Sequence, residues 1–215
     1  ASTNAIMDLS IKNKKPIGNG IITCLNMKQA KVITDKELKK IIDYIDAFDK
    51  HAHRNKAIVL LTHYCGMRVS EVASLLVSDV VNDEGEVNDV IHLTANQTKG
   101  SDSRRVFVSK KAKTAIKRYL QSDLSVIQRV YLFNTQKSKR FHTVALTTLI
   151  KRLYQRVGIV GASSHSGRRT FITRLATSGV SVRVIAEAVG HSSISTTQRY
   201  IDVNDELIGN AVELV

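Results

Sequence analysis

Apolar residues recur every three or four positions along most of the chain, the spacing of a helix with one buried face. Leu38, Ile41 and Ile45 follow this period directly after Thr34-Asp-Lys-Glu37. That tetrapeptide is a capping box, in which a hydroxyl and a carboxylate satisfy free amides at a helix start. The same spacing predicts helices at residues 54–64, 70–76, 112–120, 146–157, 168–177, 182–189, 193–201 and 204–213. The pattern therefore predicts a mainly helical protein.

A β-prone region interrupts the helices in the middle of the sequence. Asn, Asp and Gly clusters separate its segments, which lie at residues 79–81, 90–94 and 104–108. They predict a small three-stranded antiparallel sheet with a hairpin tip at residues 99–102. The expected fold class is mainly α with this small sheet (α+β). The expected organisation is an arm or linker over 1–32, one folded domain over 33–204 and an amphipathic tail helix over 205–215.

The composition is that of an ordinary globular chain. The 215 residues are 43% hydrophobic and 24% charged, which excludes a disordered tail and a disulfide-stapled miniprotein. The longest apolar stretches, such as residues 58–61, are too short to cross a bilayer, so no membrane partner is expected. Cys24 and Cys65 share no metal-binding or redox spacing and suit a reducing, intracellular setting.

The charge balance is the unusual feature of the composition. Lys and Arg number 32 against 19 Asp and Glu, giving a net charge of +13. No acidic residue occurs between Asp123 and Glu187, where an even distribution would place about six. Eleven Lys or Arg occupy that stretch, and a second basic run extends from Lys99 to Arg118. Solvated helix faces explain any single lysine, but an acid-free stretch of this length favours a surface that faces nucleic-acid phosphates.

Several residues have side chains suited to phosphate chemistry. His165 and Arg168 are three positions apart at a predicted helix start, so that they lie on one face. Gly190-His191 precedes Tyr200, and two further cations, Arg68 and Lys99, lie near turns. Each has an ordinary explanation as a cap, a surface cation or a packing residue. Together they provide cations, histidines and a tyrosine nucleophile, the set that phosphoryl transfer needs when no Mg²⁺ neutralises the developing charge.

Four motifs in this order resemble the successive conserved boxes of the tyrosine recombinases, the phage integrase family. They are Gly66-Met-Arg68-Val-Ser-Glu71, Thr98-Lys99-Gly100, His165-Ser-Gly-Arg168-Arg-Thr-Phe171 and Gly190-His191-Ser-Ser-Ile-Ser-Thr-Thr-Gln-Arg-Tyr200. The resemblance extends over roughly residues 32–204. It implies the catalytic-domain fold of that family and a site-specific recombinase that cleaves and rejoins double-stranded DNA.

The resemblance also implies a role for each matching residue. Tyr200 would attack the scissile phosphate and form a 3′-phosphotyrosyl link. Arg68 and Arg168 would hold the two non-bridging oxygens, and His191 would donate a further hydrogen bond. Proton transfer would use Lys99 as the donor to the leaving 5′-oxygen and His165 as the acceptor from the tyrosine. Glu71 would orient Arg68, and no metal or other cofactor is expected.

Several positions depart from the family pattern, and further basic residues are candidates for DNA contact. Gly167 and Arg169 stand where the family often has Leu and His, and Ala188-Val189 precede Gly190 where Leu is commoner. Gly167 is expected to loosen the helix start, and Arg169 to add a cation near DNA. The expected DNA-binding residues are Arg104, Arg105, Lys139, Arg140 and Arg169.

The surroundings of the domain leave several alternatives open. Only some 30 residues precede the first capped helix, whereas most relatives carry an N-terminal DNA-clamping domain. The chain is either an excised catalytic domain or a compact single-domain recombinase. The resemblance implies a homo-oligomer, a tetramer on paired DNA sites that is monomeric when free, in which the tail docks on a neighbour; packing on its own domain is the alternative for the tail. A cytoplasmic, nucleoid-associated protein of a bacterium or phage is expected.

Three other functions compete with the recombinase. A DNA-binding regulator could use the same fold without cutting, but the six chemical residues are all present. A type IB topoisomerase shares the chemistry, although its surrounding sequence fits less well. A metal hydrolase is disfavoured because the seven histidines show no His-Glu-x-x-His or similar ligand spacing.

Overall fold

The computed structural model describes residues 29–98, 102–200, 209, 212 and 213. The helices in this part of the chain are α1 Asp35–Phe48, α2 Ala52–Tyr64, α3 Val69–Ser74, α4 Val77–Val80, α5 Lys110–Ser122, α6 Thr143–Arg156, α7 Ser166–Thr177, α8 Val182–Val189 and α9 Ile194–Gln198. The strands are β1 Val90–Leu93 and β2 Arg104–Phe107, and short 3₁₀ turns occupy Ala95–Gln97 and Leu124–Gln128. The mainly helical prediction is confirmed.

The capping box predicted at Thr34 starts α1. The Glu37 amide donates to the Thr34 hydroxyl at 3.2 Å, and the Thr34 amide donates to the Glu37 carboxylate at 3.0 Å. The helix then buries Leu38, Ile41 and Ile45, the residues that set its period in the sequence. Helix α2 packs against α1, α5 and α7, so it forms the centre of the domain.

The prediction of a three-stranded sheet is wrong for one strand, because the sheet has two strands in the described residues. Strands β1 and β2 pair antiparallel, with Ile91 opposite Val106. Residues 79 and 80 belong instead to α4, because the Asp79 carboxylate accepts the Leu76 amide at 2.9 Å and so caps a helical turn. Val81 then makes only an isolated bridge with Val87. Most of the predicted hairpin tip, residues 99–101, lies outside the described residues.

The buried apolar residues form two clusters. The larger one includes residues of α1 to α6 and both strands. The smaller one joins α7 to α8 through Ile172, Ala176, Ile185 and Val189, and Tyr200 packs against it partly buried. The start of α7 and the end of α8 therefore lie where the two clusters approach one another.

The predicted boundaries of the domain concern residues that are mostly outside the described part of the chain. Among residues 29–32, the Lys31 amide donates to the Gly161 carbonyl at 3.3 Å. The arm over 1–32 and the tail over 205–215 remain predictions. None of the helices in the described ranges is long and apolar enough to cross a membrane.

Candidate active site

The C-terminal end of α8 is the point at which the predicted catalytic residues meet. Gly190 ends the helix with a φ of +63°, in the left-handed region that favours glycine, and His191 follows directly. The last carbonyls of a helix lack partners within it. Here three successive carbonyls each accept from a different arginine: Ala188 from Arg104 at 3.2 Å, Val189 from Arg168 at 2.6 Å and Gly190 from Arg68 at 3.0 Å. Guanidinium groups from three separate elements thus converge on one helix end.

The Glu71 carboxylate joins two of these arginines. Its Oε1 accepts from Arg68 Nη1 at 2.8 Å and from Arg104 Nε at 3.0 Å, while its Oε2 accepts from Arg104 Nη2 and the Arg68 amide, both at 2.7 Å. The side chain is fully buried. Burial raises its pKa, but hydrogen bonding and charge from Arg104, with the Arg68 amide, outweigh burial and hold the pKa below its usual value. Glu71 is therefore an ionised buried anchor, and its predicted contact with Arg68 is present.

Arg168 is the most deeply buried of the three arginines, with 5% of its surface exposed. Besides Val189 it donates to the Gly66 carbonyl at 2.7 Å, so it joins the turn before α3 to the end of α8. Burial, followed by the charge of Arg68, lowers its pKa to about 9. The guanidinium therefore remains protonated at neutral pH.

Gly167 does not loosen the start of α7, contrary to the expectation from the sequence. A Cβ at this position would lie 2.3 Å from Thr62 Oγ1 and 2.8 Å from His63 Nδ1 on α2. The glycine is therefore needed because α7 and α2 approach so closely here. This contact fixes the first turn of α7, which carries Arg168.

His191 is held between a buried hydroxyl and the tyrosine. Its Nδ1 lies 2.8 Å from Thr197 Oγ1, and its ring stacks on that of Tyr200 with centroids 5.9 Å apart. Burial, then the charges of Arg168, Arg68 and Arg104, lower the pKa of His191 to about 4. The imidazole is consequently neutral at pH 7 and offers one N–H donor.

A cleft of about 560 Å³ opens beside this cluster. Its lining includes Arg68, Arg105 and His191, together with the hairpin residues Thr98 and Ser103. Among the residues that the structure describes, no group of three or more His, Cys, Asp or Glu side chains is arranged to hold a metal ion. The cleft is open to solvent, and its border combines arginine, imidazole and hydroxyl groups with two carboxylates, Asp102 and Glu187.

One predicted catalytic residue is not part of this arrangement, and another lies outside the described residues. His165 is exposed just before α7, and within the described residues its ring makes no hydrogen bond or ion pair, whereas Arg168 on the same helix is buried. The sequence placed both side chains on one face, but the structure does not bring them into contact. Lys99 lies outside the described residues.

The predicted DNA-binding residues divide into exposed and buried ones. Arg105, Lys139 and Arg140 are exposed, as a DNA contact requires. Arg169 is only 8% exposed, and Arg104 directs its nitrogens at Glu71 and Ala188. The engagement of all three Arg104 nitrogens inside the protein counts against DNA contact by that residue. DNA contact by Arg169 stays a prediction.

Sequence reasoning missed the roles of Arg104 and Thr197. Arg104 looked like one more cation in a basic run. Only its place two positions before buried Val106, on the same face of strand β2, could have indicated that its side chain points inward. Thr197 belongs to the segment between His191 and Tyr200, but nothing in its spacing distinguishes it from the neighbouring hydroxyl residues.

The fold and the site define a mainly helical protein in which three arginines converge on one helix end next to a histidine and a tyrosine. Residues 31–206 match the sequence profile of the phage integrase family. The chain is 31% identical over 183 residues to the tyrosine recombinase XerA of Pyrococcus furiosus, covering 85% of this chain and 61% of that protein. The chain belongs to the phage integrase family.

Solved structures share the fold. A crystal structure of XerA recombinase matches with a TM-score of 0.70 and 28% identity, covering 86% of this chain and 64% of that one. The Tn1549 transposon integrase in complex with a circular intermediate DNA matches with a TM-score of 0.67 and 22% identity, over 86% of this chain and 66% of that one. The chain spans about three fifths of the length of the curated relatives that it matches first.

Proposed function

We propose that this chain is the catalytic domain of a site-specific DNA recombinase. It cleaves and rejoins double-stranded DNA through a covalent 3′-phosphotyrosine at Tyr200, with no metal or high-energy cofactor. The observation that carries the proposal is the convergence of three arginines on the end of α8, next to His191 and its stacking partner Tyr200. Family membership supports it, as does the DNA complex of the similarly folded transposon integrase.

The arginine cluster supplies the phosphate site. Arg68 and Arg104 share the Glu71 carboxylate, and Arg168 adds a third guanidinium that is bound to backbone carbonyls, so the cluster keeps a net positive charge. Each guanidinium has five N–H donors, and the bonds to α8 and to its neighbours use only some of them. In the proposal, Arg68 and Arg168 direct their remaining donors at the two non-bridging oxygens, where negative charge grows in the transition state.

His191 adds a neutral donor to the same phosphate. When the Thr197 hydroxyl donates to Nδ1, the ring proton resides on Nε2, which is then free to face the substrate. A low pKa suits this role because the imidazole stays neutral across the physiological range. Burial and the nearby arginines thus favour a neutral hydrogen-bond donor over a fourth cation.

Tyr200 is the proposed nucleophile. Its phenolic oxygen forms a bond to phosphorus while the bond from phosphorus to the 5′-oxygen breaks, so the phosphodiester energy is conserved in the new ester. The phenol loses a proton and the 5′-oxygen gains one. His165 as acceptor and Lys99 as donor are proposals that rest on the family resemblance. The reverse attack by a 5′-hydroxyl of another strand completes rejoining.

Assembly on DNA is proposed on the same ground. Two DNA sites would be paired by a tetramer of this protein, and residues 205–215 of each subunit would dock on a neighbour. Exposed Arg105, Lys139 and Arg140 are proposed to contact the phosphates that flank the cleavage position.

A nicked duplex tests the function directly. A binding site is first selected from random duplex DNA, and a nick near the cleavage position then lets the short fragment that carries the new 5′-hydroxyl escape, which traps the covalent complex. We expect a denaturant-resistant protein–DNA band that persists in EDTA and is lost in Tyr200→Phe, since that change removes one oxygen and keeps the ring packing. The Tyr200→Phe protein should still bind the duplex.

The other outcomes distinguish the competing functions. Binding without any trapped complex would mean a DNA-binding regulator. A protein that forms the trapped complex and relaxes supercoiled DNA, but never exchanges strands between two sites, would be a topoisomerase. Cleavage that EDTA abolishes would mean a metal-dependent nuclease, and each of these results would overturn the proposal.

A further inference from the structure

Arg104 has all three of its guanidinium nitrogens engaged inside the protein. Nε and Nη2 grip the two oxygens of Glu71 at 3.0 and 2.7 Å, and Nη1 donates to the Ala188 carbonyl at 3.2 Å. Only 8% of the side chain is exposed. A planar fork that binds a carboxylate with two parallel bonds has a fixed orientation, which a single charge does not give.

The surrounding backbone is shaped to admit this side chain. A Cβ on Gly190 would lie 2.4 Å from Arg104 Cδ. The glycine therefore serves two purposes, since it ends α8 in the left-handed conformation and leaves room for the arginine beneath the turn. Strand β2 packs on α8 at this place, and Arg104 is the residue that joins them.

Two phosphate-binding residues depend on the partners of Arg104. Glu71 holds the Arg68 guanidinium through Oε1 and the Arg68 amide through Oε2. Ala188 is in the last turn of α8, directly before the turn that presents His191. We propose that Arg104 is a positioning residue, which fixes Arg68 through Glu71 and His191 through the end of α8, and that it does not bind DNA.

Only the expected effect on the rate of DNA cleavage rests on the proposed function. If Arg104 is lost, Glu71 loses two of its four hydrogen bonds and Arg68 is no longer held in one position. Misplacing a reacting group by about 1 Å can cost about 100-fold in rate. Cleavage should therefore fall although DNA affinity does not.

A second consequence is independent of catalysis. The charge of Arg104 is one of the causes that lower the pKa of His191, together with burial and the two other arginines. Removing the charge should raise the pKa of His191. A substitution that only lowered the stability of the whole protein would leave the pKa of His191 unchanged.

The test compares Arg104→Met and Arg104→Lys with Arg54→Met as the matched control. Arg54 is also partly buried and donates to a backbone carbonyl, that of Asn134 at 2.9 Å, but it lies away from the cleft. Each protein is measured for the rate of covalent trapping at saturating nicked duplex, the Kd for that duplex, the unfolding midpoint in urea, and the pKa of His191 by NMR.

We expect Arg104→Met to trap DNA about 100-fold more slowly, with a Kd within about threefold of the parent and a raised pKa of His191. Arg104→Lys keeps the charge and loses the fork, so it should recover the pKa and only part of the rate. Arg54→Met should lose stability while keeping both the trapping rate and the pKa. If Arg104→Met does not fold, the trapping rate of Arg104→Lys is compared with that of Arg54→Met and decides whether Arg104 positions the site.

Two results would overturn the proposal. Weakened affinity with an unchanged rate at saturation would make Arg104 a DNA contact. An unchanged pKa of His191, with a rate loss no greater than in Arg54→Met, would make it a structural ion pair. If the parent protein traps no DNA, the proposed function fails, and the pKa comparison still decides whether Arg104 acts on His191.

Discussion

At the scale of single residues, the role of each cation follows from where its nitrogens point. Arg104 and Arg105 are neighbours in sequence and both border the cleft, yet the Arg104 nitrogens are bonded to a buried carboxylate and a helix carbonyl whereas Arg105 is exposed. Strand alternation alone separates them. The same principle applies to hydroxyl residues, because buried Thr197 bonds to His191 while Ser195 in the same segment is exposed.

Thr197→Val should lower the rate of covalent trapping about tenfold. It leaves the Nδ1 atom of His191 without its partner, so the ring proton is no longer held on Nε2. Thr197→Ser keeps the hydroxyl and should retain most of the rate. DNA affinity should change little in either protein. Equal rates for Val and Ser would show that this hydroxyl does not orient His191.

At the scale of elements, the site depends on how closely helices approach one another. Helix α7 lies against α2 at Gly167, where Thr62 and His63 leave no space for a Cβ. The next residue is Arg168, so that the packing of two helices sets the position of a phosphate ligand. A core contact is thereby coupled to the proposed chemistry.

Gly167→Ala should destabilise the protein by about 1–2 kcal/mol, because the cost of overpacking exceeds the better helix propensity of alanine. Gly209→Ala is the control, since nothing lies within 4 Å of a Cβ added there. Urea unfolding measures both. Equal stability of the two variants would contradict the close approach of α7 and α2.

The elements that sequence patterning predicted are those whose apolar period is long. The capped start of α1, the end of α8 at Gly190 and the buried faces of both helices agree with the structure. Helix α4 was missed because its single turn is fixed by the Asp79 carboxylate and not by any period. The family resemblance supplied the proposed catalytic residues, but the contact of Arg104 with Glu71 joins residues 33 positions apart and leaves no local signal.

At the scale of the whole molecule, charge is segregated along the chain. Residues 124–186 carry no carboxylate, whereas α1 alone has several acids, including Asp35, Glu37 and Asp43. Such a distribution favours binding of phosphates by one part of the surface. Binding that depends on phosphate contacts weakens as the salt concentration rises, because the condensed counterions that the protein releases then gain less entropy.

Replacing Lys139 and Arg140 by Ala should reduce the slope of log Kd against log salt by about 1.8, if each residue contacts one phosphate. The control is the double change of exposed Lys39 and Lys40 on α1, where Lys39 pairs with Asp43. Titration of a labelled duplex at several salt concentrations gives both slopes. An equal reduction of the slope in both double variants would mean that only the net charge of the protein matters and that Lys139 and Arg140 do not contact phosphates.

The decisive measurement is the identity of the residue that becomes linked to DNA. The trapped complex is digested with a nuclease and a protease, and the nucleotide-bearing peptide is sequenced by mass spectrometry. We expect one modified peptide, with a 3′-phosphate ester on the oxygen of Tyr200. A link to any other side chain, or a 5′-phosphate ester at Tyr200, would contradict this expectation.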